Sequence, residues 1–236
     1  MNRCDNPGSS VASRYMQLVI IDSGNKGAGA ARNSGIETAC GKYLAFPDSN
    51  SWLEPNMLSI AYTAVENDKA DITIFHDNQT GKTTPYTYFL RFDRLPQHRP
   101  FAVMGMECSA FRSLMGCAWD KLCKRSFVLN NDLRFRKHDM YFTFISIYKA
   151  TRITICKEHL YNRRRNVIST LSDAKDLSWK CFYRAFLELR RELQEMGERE
   201  KYQSDFTDYA LNSCLWNLNT LNESAGMKLY DKLKTE

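Results

Sequence analysis

The glycine- and alanine-rich segment from Asn25 to Ile36 runs almost directly into Gly41-Lys42-Tyr43-Leu44-Ala45-Phe46-Pro47-Asp48, and no other feature constrains the fold as much. A glycine-rich turn opens a helix, and an apolar strand then stops on an acidic residue. An α/β protein uses this arrangement to hold a charged, phosphate-bearing ligand at the end of a sheet. Upstream, Leu18-Val19-Ile20-Ile21 is a continuous apolar run ending at Asp22, which predicts a fully buried strand of a parallel sheet. The helix is expected from about Ala28 to Gly41, whose missing Cβ suits a C-terminal cap, and the next strand over Tyr43 to Phe46.

Further along, Pro55 fits the first turn of a helix whose buried face is read from Met57, Leu58, Ala61, Tyr62 and Val65. Ala70 to Phe75 alternates as a strand, Asn78 to Gly81 reads as a turn, and Tyr86-Thr87-Tyr88-Phe89 is an aromatic run. The alternation of strands and helices predicts an α/β fold with an open, mostly parallel sheet and flanking helices. After Thr170 the period changes. Leu177, Cys181, Ala185, Leu189, Leu193 and Met196 mark a long amphipathic helix ended by Gly197. Phe206 to Leu218 marks a second, and Met227, Tyr230 and Leu233 a short third. The expected organisation is a flexible leader over 1–14, an α/β core over 15–170 and a C-terminal helical segment over 171–236.

The stretch from Gly27 to Leu58 resembles the signature of family 2 glycosyltransferases of the GT-A fold. In that family a helix A-R-N-x-G-I-x-x-A-x-G-x-Y precedes a strand ending F-x-D-x-D-D-x-x-x-P. Ala31, Arg32, Asn33, Gly35, Ile36, Ala39, Gly41, Tyr43, Phe46, Asp48 and Pro55 match it. Trp119-Asp120-Lys121-Leu122, Leu133-Arg134-Phe135 and Leu160-Tyr161-Asn162-Arg163 resemble three further stations in the same order. The resemblance implies transfer of a sugar from a nucleotide-diphosphate donor to a hydroxyl of a glycan acceptor, with inversion, in cell-surface polysaccharide synthesis. The non-catalytic alternative is a binding or scaffold protein that keeps the fold.

The resemblance also implies roles for individual residues. The D-x-D motif supplies a ribose contact and a metal ligand for Mg²⁺ or Mn²⁺; here Asp48 holds the first position, but Asn50 stands at the third and Ser51 at the fourth. Hard cations prefer charged oxygen, so weakened metal binding by Asp48 and Asn50 follows. Asp139 matches the catalytic base, with His138 replacing the usual Glu; a protonated His138 would pull the Asp139 pKa down. The alternative role for Asp139 is a helix cap. Asp22, Arg32, Asp48, Arg163 and Arg165 are the expected nucleotide-sugar contacts, the arginines through their planar forks. One departure lies upstream, where the polar leader stands in place of the family's first strand, as though one βα unit were absent.

A third arrangement, a dinucleotide fingerprint from Gly24, Gly27 and Gly29, fails on spacing, because the glycines run G-x-x-G-x-G. Hydrophobic residues make up 43% of the 236, enough for a core. The net charge of +6 lies wholly after Pro100, since acids and bases balance ten to ten over residues 1–100. Such an excess suits a diphosphate or an anionic membrane surface; nucleic acid is not expected. Eight cysteines with no C-x-x-C pair are read as reduced and buried, which places the protein in the cytoplasm, with peripheral contact at the inner membrane face admitted. His76 and His159 are read as isolated structural or surface residues. A homodimer through the strand edge left open upstream is the remaining expectation.

Overall fold

The computed structural model describes residues 18–22, 24, 26–80, 95–96, 99–104, 110–114, 116–136, 138–164, 175–197 and 199–235. In chain order the elements are α1 (Ala28–Thr38), β1 (Tyr43–Ala45), β2 (Ser51–Leu53), α2 (Met57–Asn67), β3 (Ile72–Thr80), α3 (Ala110–Ser113), β4 (Lys121–Lys124), α4 (Arg125–Asn130), α5 (Asp139–Lys149) and β5 (Ile153–Arg164). Three helices follow, α6 (Lys175–Glu195), α7 (Arg199–Thr220) and α8 (Glu223–Lys234). The five strands form one sheet in the order β1-β4-β3-β5-β2.

The α/β class with flanking helices holds, but the sheet is mixed rather than mostly parallel. Only β3 and β5 run parallel, and the chain between them passes through α3, β4, α4 and α5; β1 with β4, β3 with β4 and β2 with β5 are antiparallel. Apolar periodicity reports burial and not strand direction, so the sequence could not distinguish these pairings. The β3–β5 register shifts on either side of His76, and β3 continues through Thr80. Asn78 to Thr80 therefore belong to a strand where a turn was expected, because β5 continues beside them and supplies backbone partners.

Leu18 to Ile21 form no strand and are 36–68% exposed. Among the described residues no strand lies beside them, and an apolar run without backbone partners does not become a strand. Helix α2 buries Met57, Ala61 and Val65 as read, while Leu58 and Tyr62 face outward at 61% and 49% exposure. Met57, Ala61 and Val65 pack with Phe75, Trp119, Leu160 and Tyr161 in one apolar cluster. The larger cluster joins Ile72, Ile74 and Ile153 of the sheet to Phe142, Phe144 and Tyr148 of α5 and to Phe182, Phe186, Leu189 and Leu193 of α6. Helix α8 joins it through Ala225 and Leu229, so its buried stripe is one step off the expected one and leaves Met227 and Tyr230 exposed.

Two smaller expectations change. His76 and His159 are neighbours rather than isolated, their ring centroids 5.1 Å apart across the bulged register. Cys117, Cys123, Cys156, Cys181 and Cys214 are free thiols, whereas Cys40 is exposed and disulfide-bonded. The expected leader over 1–14 and the aromatic run Tyr86 to Phe89 lie outside the described residues.

Candidate active site

Helix α1 enters the site through two glycines. Gly27 precedes the helix at φ 87°, a left-handed conformation open to a residue without Cβ. Gly29 is buried so close to the segment after β4 and α4 that a Cβ there would lie 2.1 Å from the Arg136 carbonyl oxygen. Asn33 fastens the same contact: its Nδ2 donates to the Phe135 carbonyl at 2.9 Å, and the Phe135 N–H donates to its Oδ1 at 2.8 Å. The A-R-N motif thus sets the position of the segment leading into α5.

With α1 fixed, Arg32 spans the end of β1 and the start of α5. Its Nη2 donates to Asp48 Oδ1 at 2.7 Å and its Nη1 to Asp139 Oδ1 at 2.5 Å. The guanidinium also sits 5.3 Å from the Phe135 ring centroid, within cation–π range. The Arg32 side chain is 16% exposed, that of Asp48 33% and that of Asp139 25%, so the three form one half-buried cluster that solvent and a ligand can reach.

Each carboxylate has its own support. The Asp48 backbone N–H donates to the Tyr161 hydroxyl at 3.1 Å, and Trp119 stacks on Tyr161 with centroids 4.5 Å apart. Beside Trp119, the fully buried Lys121 bonds Asp120 and donates to the Cys117 carbonyl at 2.8 Å. Asp139 is the first residue of α5, and His138 before it is the cap, its Nδ1 accepting the Met140 N–H at 3.2 Å. The capping alternative for Asp139 is therefore corrected: His138 takes that place and leaves the Asp139 carboxylate free to meet Arg32.

The electrostatic expectation also reverses. A ring nitrogen that accepts a hydrogen bond carries no proton, so His138 puts no positive charge beside Asp139. Burial pushes the Asp139 pKa above its ordinary value; Arg32 opposes that and Asp48 adds to it. A carboxylate so placed is a better proton acceptor than an exposed one, provided it remains ionised.

The other sequence-predicted residues fall differently. Asn50 follows Asp48 in the turn before β2, and its Oδ1 accepts the Ser51 hydroxyl at 3.3 Å. Asp22 is exposed and its Oδ1 accepts the Gly24 N–H at 3.4 Å, with no contact to the Arg32 cluster among the described residues. Arg163 lies in β5 opposite Ser51 of β2, its side chain outside the described residues, as is Arg165 altogether. Sequence reading did not assign Tyr161, Phe135 and Asn33 their supporting roles. Their only signal was membership in the motif stations, since contacts more than 100 residues apart leave no local pattern.

A model of the family described as "Glycosyl transferase family 2" matches residues 9–127, and this match contains α1, Arg32, Asp48 and the buried Asp120–Lys121 pair. The chain belongs to glycosyl transferase family 2. Among its relatives is a protein described as "Putative glycosyltransferase EpsH", of Bacillus subtilis (strain 168), 26% identical over 95% of this chain and 68% of EpsH. Another is the cholesterol galactosyltransferase of Borreliella burgdorferi, 25% identical over 64% of this chain and 45% of that protein. Among solved structures, S. aureus TarS 1–349 in complex with UDP-GlcNAc superposes with a TM-score of 0.55 and 14% identity, covering 87% of this chain and 65% of TarS 1–349. That likeness supports the fold.

Family 2 glycosyltransferases commonly use a divalent metal. The donor set here does not fit a resident ion. Asp48 Oδ1 is held by a guanidinium and Asn50 is neutral, so the one or two carboxylates that a hard cation draws on beside substrate phosphates are reduced to a single one already paired with Arg32.

Proposed function

We propose that this family 2 glycosyltransferase moves a sugar from a nucleoside-diphosphate donor to a hydroxyl of a glycan acceptor, with inversion, in polysaccharide synthesis. The observation that carries the proposal is the single guanidinium of Arg32 holding Asp48 and Asp139 together in one reachable cluster. In this reading Asp139 accepts the proton of the acceptor hydroxyl as that oxygen forms its bond to the anomeric carbon. The bond to the diphosphate breaks on the opposite face, and its electron pair leaves with the nucleoside diphosphate. Asp22 and Asp48 contact the nucleotide, while Arg32, Arg163 and Arg165 meet the diphosphate.

A non-catalytic scaffold, the other reading of the Asn50, Ser51 and His138 departures, gives no reason for two part-buried carboxylates to be gathered around one arginine. The test is release of UDP from UDP-GlcNAc or UDP-galactose by the purified chain with glycan acceptors. Turnover that depends on acceptor supports the proposal, and its absence with every donor and acceptor tried removes it.

The Mg²⁺ or Mn²⁺ ion expected at Asp48 and Asn50 enters no step of this proposal, given the donor set. No helix among the described residues is long and apolar enough to cross a membrane. Peripheral contact with the inner membrane face would draw on Met227 and Tyr230 of α8, 55% and 45% exposed, beside Lys228, Lys232 and Lys234. A homodimer would draw on the exposed run Leu18 to Ile21. Co-sedimentation with anionic vesicles and size measurement over a concentration series test these two extensions.

A further inference from the structure

We infer that Arg32 is the resident cation of this site, standing where a divalent ion would otherwise neutralise the donor, so that this chain binds a nucleoside diphosphate without metal. The inference rests on the donor class proposed above and goes beyond it, because the resemblance implies Mg²⁺ or Mn²⁺.

Three observations carry it. The guanidinium already occupies the ground between the carboxylate closing β1 and the one opening α5, bonding Asp48 at 2.7 Å and Asp139 at 2.5 Å. An ion drawn to Asp48 Oδ1 would meet that fixed positive charge at close range and be repelled by it. The position that should add a second carboxylate is Asn50, whose amide oxygen is neutral and accepts the Ser51 hydroxyl at 3.3 Å. A hard cation loses its main attraction there, whereas a guanidinium does not need that ligand.

Arg32 is also held in place rather than waving in solvent. The Phe135 ring lies 5.3 Å away, and Asn33, one residue along the helix, is bonded twice to the Phe135 backbone. A guanidinium carries five N–H donors, and the two carboxylates take one from each terminal nitrogen, so phosphate oxygens can add to the same fork. The cluster itself carries one excess negative charge. The chain's positive excess falls in residues 101–174, the stretch of sequence that also holds Asp139, with 13 Lys and Arg against six Asp and Glu. That stretch contains Arg163, Arg164 and Arg165.

The experiment is calorimetry of UDP against the intact chain, once in EDTA and once in Mn²⁺, for the wild type, Arg32→Gln, Arg32→Lys and Asn50→Asp, with a melting curve for each. Expected are wild-type dissociation constants within about twofold in the two buffers and a weakening of roughly 10–100-fold in Arg32→Gln, the loss of one charge-assisted bond. Arg32→Lys should recover part of it. Asn50→Asp should gain at least about tenfold in affinity when Mn²⁺ is added, because a second carboxylate restores a hard-cation site. Wild-type binding that requires Mn²⁺ overturns this inference and leaves the donor class standing. A folded Arg32→Gln chain that binds UDP as tightly as the wild type overturns it as well. If Arg32→Gln does not fold, the EDTA comparison and Asn50→Asp decide. No UDP binding in either buffer removes the inference and the donor class together.

Discussion

Asp139 is the residue on which turnover turns. Asp139→Asn keeps the shape of the side chain and its contact to Arg32 but cannot accept a proton, so kcat should fall by roughly 10²–10⁴-fold while UDP affinity changes little. Turnover assays paired with calorimetry check both halves. The pH dependence follows from the same carboxylate, which works when ionised and whose pKa is raised above the ordinary value by burial first, with Arg32 lowering and Asp48 raising it. Activity should thus be full at higher pH and be lost as pH falls through an acid limb lying above the ordinary Asp value of about 3.9. Arg32→Gln removes the lowering contribution and should move that limb to still higher pH, read from kcat/KM profiles of the two proteins. At this scale Arg32, Asp48 and Asp139 were each legible as motif residues. That one guanidinium joins the two acids was not, because Arg32 and Asp139 are 107 residues apart in sequence.

Among the elements, α1 and the segment between α4 and α5 act as a pair. Gly29→Ala would push a Cβ to 2.1 Å from the Arg136 carbonyl oxygen, a backbone atom that cannot swing aside. The expected cost is about 1–3 kcal/mol, seen as a lower urea midpoint, together with weaker UDP binding as Arg32 shifts. The helices were readable from their period, with ends off by a few residues: α1 stops at Thr38, before Gly41, and Gly197 does follow α6. Strands were less readable. Leu18 to Ile21 has strand composition but no partner among the described residues, and Asn78 to Thr80 has turn composition but a partner in β5. A helix satisfies its own backbone, whereas a strand needs a neighbour that sequence does not name.

On the scale of the whole molecule, the C-terminal helices are not a basic appendage. Residues 175–236 carry ten Lys and Arg against 11 Asp and Glu, so the positive excess belongs to the stretch that holds α5 and β5. Helix α6 packs on α5, and Leu189 is fully buried in the cluster that also contains Phe142 and Tyr148. Leu189→Ala should cost about 2–5 kcal/mol and lower a single unfolding transition, monitored by tryptophan fluorescence and far-ultraviolet dichroism, which are expected to coincide. The sequence by itself determined the α/β class, the helical positions and the residue types gathered near Asp48, because period, glycine placement and short motifs act over a few residues. Only the tertiary structure decided strand direction, the face that α8 buries, the neutral cap at His138 and the bridge from Asp48 through Arg32 to Asp139. Each of those depends on which distant segment offers a hydrogen-bond partner or an apolar surface, and such choices are made when the chain closes on itself.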